Sequence, residues 1–361
     1  MVAQTKTPWW SWLCPVLAWA ILAEMVSLGD DSAITAVAAA VILIATVYAA
    51  VYHAEVVAHY TGEPFGTLVL AIAVTVIEVA LIVSVMAAAP GEKAGLARDT
   101  VYAAVMIVCN GIVGLSLLWG GARHHEQGFQ VAGASAALAV LAALTTLSLI
   151  VPNVATTVPG PQFSTAQLVF AGVASLVLYG VFVFIQTVRH RDYFLPSQAG
   201  NEEVHAAGPP ARTALVSLGL LLVALVAVVG LAKALTPMLE VGIARAQAPK
   251  AVIGIVIATL VLLPEALAAL RAARANRLQT SLNLALGSAL ASIGLTIPAV
   301  AVVSIVLGVP IELGLGGKDQ VMLALTLFVS VITLGTGRTT VLQGIVHLVI
   351  FAAFLFFAVV P

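Results

Sequence analysis

The stretch GEPFGTLVLAIAVTVIEVALIVSVM, residues 62–86, decides how the whole chain is read. From Gly66 onward only Thr67, Thr75, Glu78 and Ser84 interrupt an apolar run. The run is long enough to cross a bilayer as a helix, which takes about 20 apolar residues at about 1.5 Å each. Glu78 stands about 12 residues into it, near the midplane. A carboxylate at that depth costs about 2.5–3.5 kcal/mol on insertion scales. A second stretch, PKAVIGIVIATLVLLPEALAAL at residues 249–270, carries Glu265 in a similar place. No Lys or Arg lies within 64–92 or 251–270 to neutralise either acid. The simplest compensation is a mobile positive charge, either a metal cation or a proton.

The rest of the chain is built like these two stretches. Its 361 residues are 61% hydrophobic and 9% charged, where soluble domains carry about 25% charged residues. The expected fold class is an all-α polytopic membrane protein. A net charge of -1 with no basic stripe or tail sets nucleic acid aside as a partner. The lipid bilayer is the expected surround, and no oligomeric state follows from the sequence. Cys14 and Cys109 sit inside apolar runs and read as small buried residues, not as a disulfide pair.

Eleven apolar runs are expected as transmembrane helices: 9–28, 33–52, 66–88, 99–120, 130–151, 164–187, 212–236, 250–271, 281–307, 320–335 and 340–360. The first run is too long for a signal peptide and reads as a retained helix. Trp9, Trp10, Trp12 and Trp119 lie near run ends, as interfacial aromatics do. With a cytoplasmic N-terminus, one side collects Lys6, Arg123, Arg189, Arg191, Arg212, Arg271, Arg274, Arg277 and Arg338. The other collects Lys93, Arg98, Lys233, Arg245, Lys250 and Lys318. That bias favours an N-terminus inside the cell. The longest polar connection divides the chain into residues 1–32 as an extra N-terminal helix, 33–188 as a first five-helix repeat, 189–211 as a cytoplasmic loop and 212–361 as a second repeat. An odd number of spans per half forces the halves into opposite orientations, the arithmetic of an inverted repeat.

The candidate site follows from the two acids. Pro264 precedes Glu265 and has no N–H, so it frees the carbonyl of Leu260 as an oxygen ligand. Two carboxylates, freed carbonyls and hydroxyls make an all-oxygen site, which suits a hard cation such as Ca²⁺. Desolvation disfavours the charged carboxylate, so the same acids hold either a cation or protons. Mutual exclusion at one site is what exchange requires. The alternative is that both acids are protonated packing residues. Asn110, Ser288 and Ser292 are candidate secondary ligands, with interhelical packing as the competing role.

Other polar clusters read as ordinary. His53, Glu55 and His59 are expected at a solvated helix end, with a surface metal or a pH-sensing role as the alternative. His124-His125-Glu126 reads the same way, and Glu202, Glu203 and His205 read as solvated loop. Asp30 and Asp31 are expected to cap the second helix. His347 reads as a packed histidine rather than a relay. Arg338 is expected to anchor a helix end.

Several motifs then recur in order. His53-Ala-Glu-Val-Val-Ala-His59, Gly62-Glu63-Pro64-Phe65-Gly66-Thr67 and Ile77-Glu78-Val79 resemble the bacterial ChaA-type calcium/proton antiporters of the calcium/cation antiporter superfamily. Arg98-Asp99-Thr100-Val101-Tyr102, Tyr179-Gly180-Val181-Phe182, Pro264-Glu265-Ala266-Leu267 and Thr336-Gly337-Arg338-Thr339 extend the resemblance over almost the whole chain. It implies two inverted five-helix repeats plus an N-terminal helix in a bacterial inner membrane. It also implies export of Ca²⁺, with Na⁺ or K⁺ in some members, against inward H⁺. Glu78 and Glu265 would bind ion and proton in turn, with no resident cofactor. Where the superfamily often shows Gly-Asn-Ala-Thr/Ala-Glu, this chain has Thr75-Val76-Ile77-Glu78 and Leu262-Leu263-Pro264-Glu265. A channel would conduct without obligatory proton movement. An intramembrane enzyme would need a nucleophile or a metal group, and no His-Glu-x-x-His is present, so the expectation is a transporter and not an enzyme.

Overall fold

The computed structural model describes residues 8–28, 32–62, 73, 75, 76, 78–80, 82, 83, 94–195, 209–245, 249 and 251–360. Helices dominate because apolar segments in lipid must satisfy every backbone group within themselves. They are α1 (Trp9–Leu28), α2 (Ala33–Thr61), α3 (Leu96–Met106), α4 (Val113–His124), α5 (Val131–Thr145), α6 (Thr165–Phe184), α7 (Ala211–Arg245), α8 (Ala251–Arg274), α9 (Leu278–Leu307), α10 (Gly317–Leu334) and α11 (Val341–Val359). A π-helical turn, Ile107–Ile112, joins α3 to α4, so those two make one crossing. Ten helices among the described residues are long and apolar enough to span a membrane. They coincide with ten of the eleven expected runs. Of the remaining run, 66–88, the described residues 73, 75, 76, 78–80, 82 and 83 are helical.

Two expectations at helix ends are corrected. The N-cap of α2 is Ser32, whose hydroxyl accepts the backbone N–H of Thr35 at 3.2 Å. Asp30 and Asp31 lie outside the described residues. Helix α2 also runs nine residues past the expected end at 52, because Glu55 and His59 extend it into polar surroundings where hydropathy no longer marks it.

The chain groups into two compactly packed units. In the first, α2 packs on both α1 and α7, and α1 packs on α7. Trp19 donates to the Val223 carbonyl at 3.2 Å, and Thr46 reaches the Cys14 carbonyl at 3.3 Å. His53 sits fully buried in this unit, with Nε2 3.0 Å from the Ser11 carbonyl. That corrects its reading as part of a solvated end. His53 faces α1, while Glu55 and His59, two and six residues on, are exposed on another face.

In the second unit α3 packs on α8, α4 packs on α8 and α11, and α6 runs along α9. Its two ends are separate polar layers. At one, the Arg274 guanidinium lies 3.5 Å over the Trp119 ring, and Gln127 donates to the Ala273 carbonyl at 3.0 Å. A two-stranded antiparallel sheet, β1 (Gln127–Gly128) with β2 (Arg338–Thr339), also closes this end. Arg338 pairs with Glu126 at 3.1 Å there, so it joins two loops instead of simply anchoring a helix end. At the other end Arg98 meets Asp99 at 2.8 Å and the Gly314 carbonyl at 3.2 Å, and Lys318 donates to the Phe357 carbonyl at 2.6 Å. The sequence assigned Arg274 and Arg338 to one side, and Arg98 and Lys318 to the other. Along α6, Val169, Phe170, Val173, Val177, Val181 and Phe184 are about half exposed or more. Such a stripe would be an aggregation liability in water and is the ordinary surface of a lipid-facing helix.

Candidate functional site

Glu78 is 3% exposed. Thr75 and Ile82, three residues before it and four after, are 6% and 0% exposed, whereas Val76 is 44% exposed. That alternation has the period of a helix and puts Glu78 on the buried face with Thr75. The segment belongs to the first unit.

Glu265 belongs to the second unit, on α8. It is half-buried and stands in one row with Val261 and Ala269, which are 3% and 0% exposed. Pro264 is internal to this helix, so the Leu260 carbonyl lacks its usual donor. Helix α8 approaches α3 closely because Gly254 has no side chain: a Cβ there would meet the Asp99 carbonyl carbon at 2.9 Å.

The other candidates share the second unit. Ser292 is 4% exposed and Ser288 half-buried, one turn apart on α9. Asn110 is fully buried in the π turn, where the Val113 N–H reaches back five residues to the Val108 carbonyl. Such a turn inserts one residue into a helix and is frequent at functional sites. It packs against α8, α9 and α11, so the elements carrying Asn110, Glu265, Ser288 and Ser292 adjoin one another.

Both ends of the Asn110 amide are engaged. Nδ2 donates to Thr326 Oγ1 at 2.9 Å, and Oδ1 lies 3.1 Å from His347 Nδ1. His347 Nε2 in turn lies 3.2 Å from Thr333 Oγ1. His347 is therefore packed, as expected, but among polar partners. The sequence reading missed Thr326, Ser330 and Thr333. Their spacing of four and three residues along an apolar run is a polar helical stripe, and all three are buried at 4% exposure or less. Among the described residues no three His, Cys, Asp or Glu side chains form a metal-binding cluster.

The chain is similar to known proteins. The sequence profile of the family described as sodium/calcium exchanger protein matches residues 32–188 and 216–360. The y4hA protein of Sinorhizobium fredii (strain NBRC 101917 / NGR234) is 49% identical over 367 residues, covering 100% of this chain and 98% of that protein. The sodium-potassium/proton antiporter ChaA of Escherichia coli (strain K12) is 36% identical over 316 residues, covering 87% of this chain and 85% of that protein. The solved structure of native YfkE, a Ca²⁺/H⁺ antiporter protein, matches with a TM-score of 0.74 at 15% identity, covering 97% of this chain and 100% of that one. At that identity the likeness is one of fold.

Proposed function

The chain belongs to the sodium/calcium exchanger protein family, and from that premise we propose that this member exchanges cytoplasmic Ca²⁺ for external protons. It is a multi-pass membrane antiporter. Glu78 and Glu265 are the groups that hold cation and protons in turn. Asn110, Ser288 and Ser292 add neutral oxygens. Two carboxylates that release two protons and accept one divalent ion keep their combined charge constant, so no step leaves bare charge in lipid.

The observation that carries this reading is the burial of Glu78 at 3% exposure on the same helix face as Thr75. A bare carboxylate in the middle of an apolar run is costly, and an exchanger supplies a cargo cation or a proton to neutralise its charge. The chain sits in a bacterial inner membrane with its N-terminus in the cytoplasm, the orientation that the Lys and Arg distribution favours.

A monovalent cargo is the second reading. It is favoured by the 36% identity with a protein named as a sodium-potassium/proton antiporter. The two are separated by purified protein in liposomes with a trapped pH dye. Ca²⁺, Na⁺ and K⁺ are added in turn at alkaline pH under an imposed proton gradient. Dye response to Ca²⁺ at the lowest concentration supports the first reading, and response to K⁺ or Na⁺ alone supports the second. Silence toward all three ions would falsify both.

A further inference from the structure

Asn110, His347, Thr326 and Thr333 form one hydrogen-bonded cluster in the second unit, and each is at most 4% exposed. The direction of its bonds fixes the protons. The Thr326 hydroxyl donates to the Met106 sulfur at 3.4 Å while accepting from Asn110 Nδ2. The Asn110 amide nitrogen carries two hydrogens, directed at Thr326 Oγ1 and, at 3.9 Å, at the Met106 sulfur, so Oδ1 faces His347, Nδ1 of His347 carries the proton and Nε2 accepts from the Thr333 hydroxyl. Turning the amide over would take its N–H groups away from both Thr326 and the Met106 sulfur. An amide does not pass a proton along, so the cluster ends at Asn110. It holds a side chain in place and is not built as a relay.

The packing is arranged to let the imidazole reach. Gly114 has no side chain, and a Cβ there would meet the His347 Cβ at 3.0 Å. Gly111, next to Asn110, likewise leaves room for the Phe351 ring, whose nearest atom a Cβ would meet at 3.3 Å. Two bare positions one turn apart thus bring α11 against the π turn.

We propose that His347 and Thr326 are positioning residues for cation binding, which act by holding the Asn110 amide at both ends. The inference rests on the reading of Asn110 as a cation ligand. A carbonyl oxygen has two lone pairs, so Oδ1 keeps one for the cation while His347 occupies the other. The amide is preset before the ion arrives. Releasing it returns the cost of freezing one side chain to each binding event, which lowers affinity about three- to tenfold.

The test uses the full-length protein in liposomes with proton-coupled Ca²⁺ or K⁺ flux, read as KM and maximal rate. His347→Gln places its amide where Nε2 was and loses the contact to Asn110. It is expected to raise KM about three- to tenfold with a maximal rate within about twofold of wild type. His347→Asn places an N–H donor near the Nδ1 position and is expected to restore KM. Thr326→Val releases the other end of the amide and is expected to raise KM as His347→Gln does. It carries the question if His347→Gln fails to reach the membrane. Equal KM values in His347→Asn and His347→Gln, or an unchanged KM in Thr326→Val, overturn the proposal. Asn110→Leu separates the two levels. An unchanged KM in it sinks the ligand reading and the positioning with it, whereas a raised KM in it beside an unchanged His347→Gln sinks the positioning alone.

Discussion

Gly344 stands directly over the backbone nitrogen of Leu118, with no space for even one methyl group between α11 and α4. Membrane helices that approach this closely gain dispersion contacts that lipid cannot match, and small residues make the approach possible. Gly344→Ala drives a Cβ into backbone, which cannot turn aside as a side chain would. We expect a loss of about 1–3 kcal/mol, the usual cost of overpacking, seen as a lower melting temperature in detergent. Gly114→Ala meets the His347 Cβ at 3.0 Å and is expected to cost less. If Gly344→Ala melts with wild type, α4 and α11 are not packed as described.

The Thr336-Gly337-Arg338-Thr339 motif owes its form to Gly337 more than to Arg338. Gly337 has φ +74°, and a Cβ on it would come within 2.9 Å of Val131 Cγ2. Its carbonyl also accepts the Phe129 N–H at 3.0 Å, beside the two-residue sheet. The Arg338–Glu126 pair is exposed on both sides, and surface pairs of that kind contribute about 0–1 kcal/mol. Gly337→Ala should therefore lower thermal stability more than Arg338→Ala does, and the difference should persist at high salt. The opposite ranking would assign the motif's role to charge.

The transmembrane fold was legible because lipid imposes a single rule, and the apolar runs obey it. Where the rule stops, so did the reading. Helix α2 continues through His53, Glu55 and His59 to Thr61, since helical hydrogen bonding does not end where hydropathy does. Glu78 and Glu265 stood out as acids in apolar runs. The partnership of Asn110 with His347 did not, since 237 residues separate them and one sequence carries no record of which helices adjoin. Nor does any residue type announce a π turn; Asn110-Gly111 inside an apolar run is the only local hint. The Thr326, Ser330 and Thr333 stripe leaves little mark on a hydropathy reading, because hydroxyls barely lower mean hydropathy.

His53 and His59 are predicted to separate cleanly. His53 is fully buried with its Nε2 at the Ser11 carbonyl, while His59 is exposed. His53→Ala leaves a cavity and an unmet backbone acceptor, so a destabilisation of about 2–4 kcal/mol is expected. His59→Ala should be neutral within about 0.5 kcal/mol. Melting curves with and without added Zn²⁺ check both points. A Zn²⁺-dependent rise in melting temperature that disappears in either variant would revive a metal site on α2.

Exchange should depend on pH with a definite sign if Glu78 and Glu265 take turns with cation and proton. Protons and cation compete for the same carboxylates, so acid occupies them and alkali frees them. KM for the cation should fall as pH rises, by about tenfold per pH unit for each proton displaced, until the acids are fully deprotonated. With both acids in play the slope approaches two protons for Ca²⁺. Glu78→Gln and Glu265→Gln each remove one titrating group while keeping the side chain's volume. Each should abolish coupled exchange, and any residual cation binding, followed by a cation-induced shift in melting temperature, should show a slope reduced by one. A Gln variant that retains full exchange with the wild-type slope would remove that residue from the site.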